Sequence, residues 1–352
     1  VGFSPRGFFE HLHLFLEVSL VMYKNISIIG DGAMSSICSM LLSEKNIAVR
    51  MWGYDANQLA QIKEKKENFK FLPGYKLPDS LQFEPRDSEI FKNADLVISA
   101  VPCQFTRSIW KRLAEHFNVN TPIVSVTKGI ENQTLLRPSQ IIREILGADA
   151  KVIVLSGPTI AEEIAKKMPA TATAASTDER LAGAVQEVFN TSYFRVYRNS
   201  DITGVELAGA MKNVIAIAAG IVDGIRLGDN AKAALLCRGL AEITRLGVAL
   251  GAKEQTFSGL SGLGDLVTTC ISPMGRNRSF GQRIGKGTSV KDAIAATNSV
   301  VEGIATCKSV VDLAKKYSIN MPITESVYQI VFENKSVPAA IEDLMARKLK
   351  AE

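Results

Sequence analysis

From Tyr23 the chain alternates short apolar runs with amphipathic stretches, and glycines mark many of the joins. Ile26–Ile29 is apolar and ends in Gly30-Asp31-Gly32, after which a helical pattern runs through Leu42. Ala48–Trp52, Leu96–Ala100, Ile123–Ser125 and Val152–Ser156 repeat the short apolar run bounded by turns. Strands buried on both faces of a parallel sheet read this way. Helical segments such as Gln58–Lys66 and Pro138–Leu146 intervene, and further extended pieces lie at Ala170–Ala175 and Phe194–Tyr197. The alternation predicts a doubly wound, mainly parallel α/β sheet. Beyond Asp201 the pattern changes to helices separated by glycine-rich turns at Gly224–Gly228, Gly259–Gly264 and Gly275–Gly287. We therefore expect an α/β domain over 23–200 and an all-helical domain over 201–352.

One helical stretch breaks the amphipathic rule. In Leu207–Val222, LAGAMKNVIAIAAGIV, only Lys212 and Asn213 are polar. A helix apolar on every side is a buried helix, and lysine is rarely buried without a partner. Burial lowers a lysine's pKa towards the range where it exchanges protons at neutral pH. Lys212 is either a stem lying on apolar surface with its ammonium in water or a working group at a cleft.

Composition narrows the classes. The 352 residues carry a formal net charge of +5 with both signs interspersed. No basic run with interleaved aromatics points to nucleic acid, and the mild positive balance suits an anionic small substrate. Cys38, Cys103, Cys237, Cys270 and Cys307 are scattered and form no CxxC pair, which fits a reducing cytoplasm and neither a disulfide framework nor a metal site. Of three histidines, two lie before residue 14 and His116 sits in the charged stretch KRLAEHF, so acid/base work falls to other groups. Residues 1–22 lack the clean apolar core and cleavage site of a secretory signal. They read as a non-native or disordered extension before a natural start at Met22. No uninterrupted apolar run reaches bilayer length, so stable membrane insertion is not expected.

Five clusters could carry chemistry. Gly30-x-Gly32 follows a strand and opens a helix, the context in which glycines let backbone approach a pyrophosphate at a helix N-terminus. Asp55, just past the second strand, is placed to accept from ribose hydroxyls. Ser156-Gly157-Pro158-Thr159 and Thr127-Lys128-Gly129 end strands on the side where α/β sheets bind ligands. Gly259–Asp265 and Gly275-Arg276-Asn277-Arg278 offer close backbone approach and forked guanidinium donors for phosphate. Lys212 is the fifth. Each has a plainer reading: a tight βα turn, a capped helix start, a solvated loop lysine, a flexible basic loop, a snorkelling stem.

Several longer segments carry a resemblance. VTKGIE, VLSGPTIAEEIA, FRVYRNSDITGVELAGAMKNVIAIAAG, LCRGLAEITRLG, GLSGLGDLVTTC, GRNRSFG, VVEGIATCKSV and MPITESVYQIV belong to a match that runs from about Lys24 to near Lys348. With them the chain resembles the bacterial-type, soluble NAD(P)-dependent glycerol-3-phosphate dehydrogenases. The resemblance implies a Rossmann domain joined to an all-α domain of the 6-phosphogluconate dehydrogenase C-terminal-like type. It implies interconversion of dihydroxyacetone phosphate and sn-glycerol 3-phosphate for phospholipid synthesis, by a cytoplasmic homodimer using NAD or NADP and no metal. Residue by residue, it implies that Lys212 is the catalytic acid/base and that Lys128 lies near both cofactor and substrate. Gly157, Thr159, Asp265, Gly275, Arg276 and Asn277 match substrate positions, and Arg276 also faces the cofactor. Gly30, Gly32, Ala33, Met34, Tyr54, Asp55, Ala161, Val300 and Glu302 match cofactor positions. The chain departs from the family at Ala33-Met34-Ser35, where Ser, an aromatic and a third glycine are usual, and Gly275 replaces a common Ser. Tyr54 stands where Arg or His is common; followed by Asp55, it tilts the choice towards NAD. Two rivals remain at this level: a ketopantoate-reductase-like or hydroxyacid oxidoreductase, and a non-catalytic dinucleotide sensor.

Overall fold

The computed structural model describes residues 23–297 and 300–349. The expectations for residues 1–22 lie outside them. The first half runs β1 (Asn25–Ile29), α1 (Ala33–Ser43), β2 (Ala48–Trp52), α2 (Ala56–Lys65), β3 (Gln82–Phe83), β4 (Leu96–Ser99) and α3 (Cys103–Leu113). It continues with β5 (Ile123–Ser125), α4 (Pro138–Leu146), β6 (Val152–Ser156), α5 (Ala161–Ala165), β7 (Ala170–Ala175), α6 (Glu179–Phe189) and β8 (Phe194–Asn199). The strands form one sheet in the order β3-β2-β1-β4-β5-β6-β7-β8. Neighbours are parallel except β6 and β7. β4 and β6 are buried along their whole length, which is why they read as continuous apolar runs. β3 is two residues pairing Arg50 with Gln82 and Met51 with Phe83, too short to leave a periodic signal.

This order places the reversal of strand order between β1 and β4. Ligands in open α/β sheets bind at such a switch point, beyond the carboxyl ends of the strands. Gly30 makes the turn there: its φ is +114°, and a Cβ at this position would lie 2.7 Å from the Ala100 carbonyl oxygen. No L side chain fits that conformation and that space together.

The second half is helical: α7 (Ile202–Gly224), α8 (Asp229–Ala249), α9 (Glu254–Phe257), α10 (Asp265–Ile271), α11 (Arg276–Gly285), α12 (Val290–Ala295), α13 (Glu302–Lys316), α14 (Pro322–Phe332) and α15 (Val337–Met345). A π turn, Leu260–Gly264, joins α9 to α10. α7 is the axle. Every residue from Gly204 to Ile221 is buried. By length and composition alone α7 could cross a bilayer, with a mean hydropathy of 1.6, but polar residues interrupt it and 94% of that window is buried inside the protein.

Polar groups fix how α7 sits. Asp201 caps its N-terminus through Gly204 N–H at 2.8 Å and also accepts from Lys253 N–H and Thr256 Oγ1. The buried Glu206 carboxylate accepts from Ser139 N–H at 2.8 Å and Ser139 Oγ at 2.6 Å, and pairs with Arg137. It thereby satisfies the open N-terminus of α4 in the other half of the chain. On its opposite end α7 is crossed closely by α11. A Cβ on Gly281 would stand 2.0 Å from the Ile217 carbonyl oxygen, and one on Gly220 the same distance from that of Arg278. Glycine on both helices lets the backbones touch and sets Arg276 and Asn277 beside the middle of α7.

Candidate active site

Lys212 sits halfway along α7 and is 6% exposed. Its ammonium donates to Asp265 Oδ1 at 2.5 Å and to the Thr269 hydroxyl. Asp265 opens α10 and is 1% exposed. Its other oxygen accepts from Lys128 Nζ at 2.7 Å. One buried carboxylate therefore bridges two lysines from opposite halves of the chain. Lys128 also donates to the Gly157 carbonyl at 2.9 Å, which ties the ends of β5 and β6 to the helical half. Neighbouring Thr127 anchors this loop by donating to the Val101 carbonyl at 2.8 Å.

The charges are unequal. Burial lowers the Lys212 pKa to about 8; the Asp265 carboxylate opposes the shift, and the Lys128 charge adds to it. Glu302, at the start of α13, is the second carboxylate. Burial raises its pKa, while the charges of Arg276, Lys128 and Lys212 pull it down, as does a hydrogen bond from the Cys103 backbone. Lys128, Lys212 and Arg276 thus face Asp265 and Glu302, an excess of one positive charge when all are ionised. Such a cluster favours negative charge developing on an oxygen bound beside it.

Thr159 Oγ1 donates to the Gly157 carbonyl at 3.2 Å, so Thr159 belongs to the same turn. Arg276 and Asn277 form the first turn of α11, whose N-cap Gly275 supplies no side-chain hydrogen bond. The first-turn N–H groups there are suited to an anion. The Asn277 side chain is occupied within the protein: its Nδ2 donates to Asn213 Oδ1 at 2.9 Å, and its Oδ1 accepts from Gly303 N–H at 2.9 Å. It therefore clamps α11 to α7 and α13, one residue from both Lys212 and Glu302. Arg278, read from the sequence as a phosphate donor beside Arg276, is instead bonded to Asp223 at 2.7 Å, next to the Lys232–Asp223 pair. His116 pairs with Glu115 on a short 3₁₀ turn.

The cofactor candidates gather at the other strand ends. Gly32 is the N-cap of α1, with Ala33 first in the helix and no side chain capping it. A Cβ on Gly32 would meet nothing within 4 Å, so the fold leaves open space there rather than demanding glycine. Ser35, in the third fingerprint position, is fully buried, and its hydroxyl has no hydrogen-bond partner in the protein. An open glycine, an uncapped helix start and an unpaired buried hydroxyl fit a dinucleotide pyrophosphate. Met34 and Ala161 both pack against the sheet core. Tyr54 is 70% exposed, with the Arg112 guanidinium 5.5 Å from its ring centre. Asp55 caps α2, accepting from the Asn57 and Gln58 N–H groups. Val300 is partly exposed, two residues before Glu302. The two groups of candidates meet at the end of β4, where Ala100 touches Gly30 and the Cys103 backbone reaches Glu302.

Thr269 was missed from sequence. It lies four residues after Asp265 on one helix face, a spacing that was available to read. Asn213 was noticed only as polar; its link to Asn277 spans 64 residues and leaves no local signal.

Comparisons with known proteins give the family and the fold. The family model described as the NAD-dependent glycerol-3-phosphate dehydrogenase N-terminus matches residues 25–182, and that of the C-terminus matches residues 201–342. A glycerol-3-phosphate dehydrogenase (NAD(P)+) of Citrifermentans bemidjiense is 45% identical over 333 residues, 94% of this chain and 99% of the relative. One from Chlorobium phaeobacteroides is 46% identical over 329 residues, covering 93% and 98%. The crystal structure of a Coxiella burnetii glycerol-3-phosphate dehydrogenase superposes with a TM-score of 0.88 at 34% identity, covering 92% of this chain and 99% of that one. The chain belongs to the NAD-dependent glycerol-3-phosphate dehydrogenase family of oxidoreductases.

Proposed function

We propose that this chain interconverts dihydroxyacetone phosphate and sn-glycerol 3-phosphate with NAD or NADP, and that Lys212 is its general acid/base. The observation that carries the reading is the buried Lys128–Asp265–Lys212 bridge at the strand ends. A nicotinamide dinucleotide, when bound, would supply the hydride-transfer chemistry at the substrate's central carbon. Lys212, protonated, gives its proton to the oxygen of that carbon during ketone reduction and takes it back during alcohol oxidation. Asp265 and Thr269 accept from two of its three N–H groups, leaving the third for the substrate oxygen. Lys128 stabilises the same oxygen and holds the Gly157–Thr159 turn against it. Arg276 and the first-turn amides of α11 hold the phosphate and so fix the distance from carbonyl to Lys212. Glu302 balances Arg276 and lines the cofactor side with Val300 and Ala161. Gly30, Gly32, Ala33 and Met34 would hold the pyrophosphate, and Tyr54 and Asp55 would border the adenosine.

In this reading residues 23–200 form the dinucleotide domain and 201–352 the catalytic and substrate domain. The enzyme is a cytoplasmic homodimer that supplies glycerol 3-phosphate for lipid synthesis. Unpaired cysteines, four of them buried, support a reducing compartment.

Oxidation of NADH or NADPH in the presence of dihydroxyacetone phosphate is the test, with ketopantoate as the competing substrate. Turnover of ketopantoate alone, or dinucleotide binding without turnover of either, overturns the reading. Arg276→Ala should raise the KM for dihydroxyacetone phosphate on the order of tenfold to a hundredfold, the worth of a lost charge-assisted pair. An unchanged KM would remove Arg276 from the phosphate site.

A further inference from the structure

We infer that Asp31, from the β1–α1 turn, is the carboxylate that reads the adenosine ribose, and that it makes this chain select NAD over NADP. The inference rests on the dinucleotide reading above. In a β–α–β dinucleotide unit an acid about 20 residues after the glycine turn, at the end of the second strand, accepts from the ribose hydroxyls. Here β2 ends at Trp52, whose carbonyl accepts from Gly30 N–H at 2.8 Å. The next residue is Gly53, which has no side chain. Asp31 fills the space beside it: a Cβ built on Gly53 would lie 2.8 Å from Asp31 Oδ2. A carboxylate thus stands at the strand end, delivered from the neighbouring turn instead of from the strand itself.

Asp55, the sequence-based candidate, uses one carboxylate oxygen to cap α2. Its Oδ1 accepts from Asn57 N–H at 2.9 Å and from Gln58 N–H at 3.3 Å. Asp31 is held in place by Gln58 Nε2 at 2.7 Å, and Gln58 Oε1 accepts from Lys70 Nζ at 3.2 Å. A carboxylate has about four lone-pair sites, so Asp31 keeps capacity for a vicinal diol. A 2′-phosphate in the same place would meet this carboxylate and the Asp55 charge beside it; burial, and then that Asp55 charge, raise the Asp31 pKa, while its hydrogen bonds from Gln58 and backbone and the Lys70 charge favour the ionised form. Two cations lie near. Arg112 is committed to Asp87 through bonds of 2.6 and 2.9 Å, and the Lys70 ammonium donates to Gln58 while its charge also acts on Asp31.

Titration calorimetry on the full chain tests this with NADH and NADPH, and with 5′-AMP and 2′,5′-ADP as fragments that report on the adenosine end alone. We expect NADH and 5′-AMP to bind at least about tenfold more tightly than their 2′-phosphorylated counterparts. Asp31→Asn, which keeps the shape and the Gln58 contact, should narrow both ratios by about tenfold or more. Asp55→Asn, which keeps the helix cap, should move them less. Equal or tighter binding of the 2′-phosphorylated ligands by the unaltered chain overturns the inference, as does an unchanged ratio in Asp31→Asn or a larger change in Asp55→Asn. In those cases dinucleotide binding itself survives. Binding of no dinucleotide would overturn the cofactor reading and this inference together.

Discussion

Lys212→Ala should cost about ten-thousand-fold in kcat in both directions, while NADH affinity stays within about twofold. Two losses combine in this figure. The proton donor disappears, and so does a cation beside the oxygen on which charge develops. The fold should tolerate the change: Asp265 keeps its bond to Lys128, so no carboxylate is left without a counter-charge. Stopped-flow hydride transfer and dinucleotide titration check both halves. Equal losses in turnover and in cofactor affinity would make Lys212 a structural residue.

Asp265→Asn should have the second largest effect, of a different kind. It leaves Lys128 and Lys212 buried together with no carboxylate between them. Removing one partner of a buried pair costs about 3–5 kcal/mol when the remaining charge is uncompensated. The chain has a way to relieve that cost: Lys212, already lowered to about 8 by burial, releases its proton more readily once the opposing Asp265 charge is gone. The variant should therefore lose on the order of a hundredfold in ketone reduction at neutral pH. The loss should shrink as the pH is lowered, and the melting temperature should fall by several degrees. Asp265→Glu, which keeps the charge on a longer arm, should recover stability better than rate. A variant that reduces dihydroxyacetone phosphate normally at pH 7 would remove the bridge from the mechanism.

Much of the fold was legible because the parallel strands are buried on both faces and therefore appear as unbroken apolar runs. β3 escaped because two residues carry no period. The helical half was legible as helices, but the meeting of α7 with α10 was not. Lys212 and Asp265 are 53 residues apart, and only packing brings them to one point. The lysine announced itself through its apolar surroundings, whereas its partner looked like one acid among many. Arg278 shows the opposite failure. Its sequence context matches that of Arg276, yet a helical step of two residues turns it towards Asp223. Asn277 was read as a ligand contact, and its side chain holds the helices that carry Lys212 and Glu302. Asp55 is a ribose candidate by position, and in the structure one of its oxygens caps α2.

The pH dependence of kcat/KM, measured in both directions on the same preparation, tests the role of Lys212 most directly. Reduction of dihydroxyacetone phosphate needs the ammonium, so its rate should fall as the pH rises through about 8. Oxidation of sn-glycerol 3-phosphate needs the free amine, so its rate should rise through the same value. Opposite limbs sharing one ionisation are the expected result. Parallel profiles in the two directions, or limbs that persist unchanged in Lys212→Ala, would contradict it.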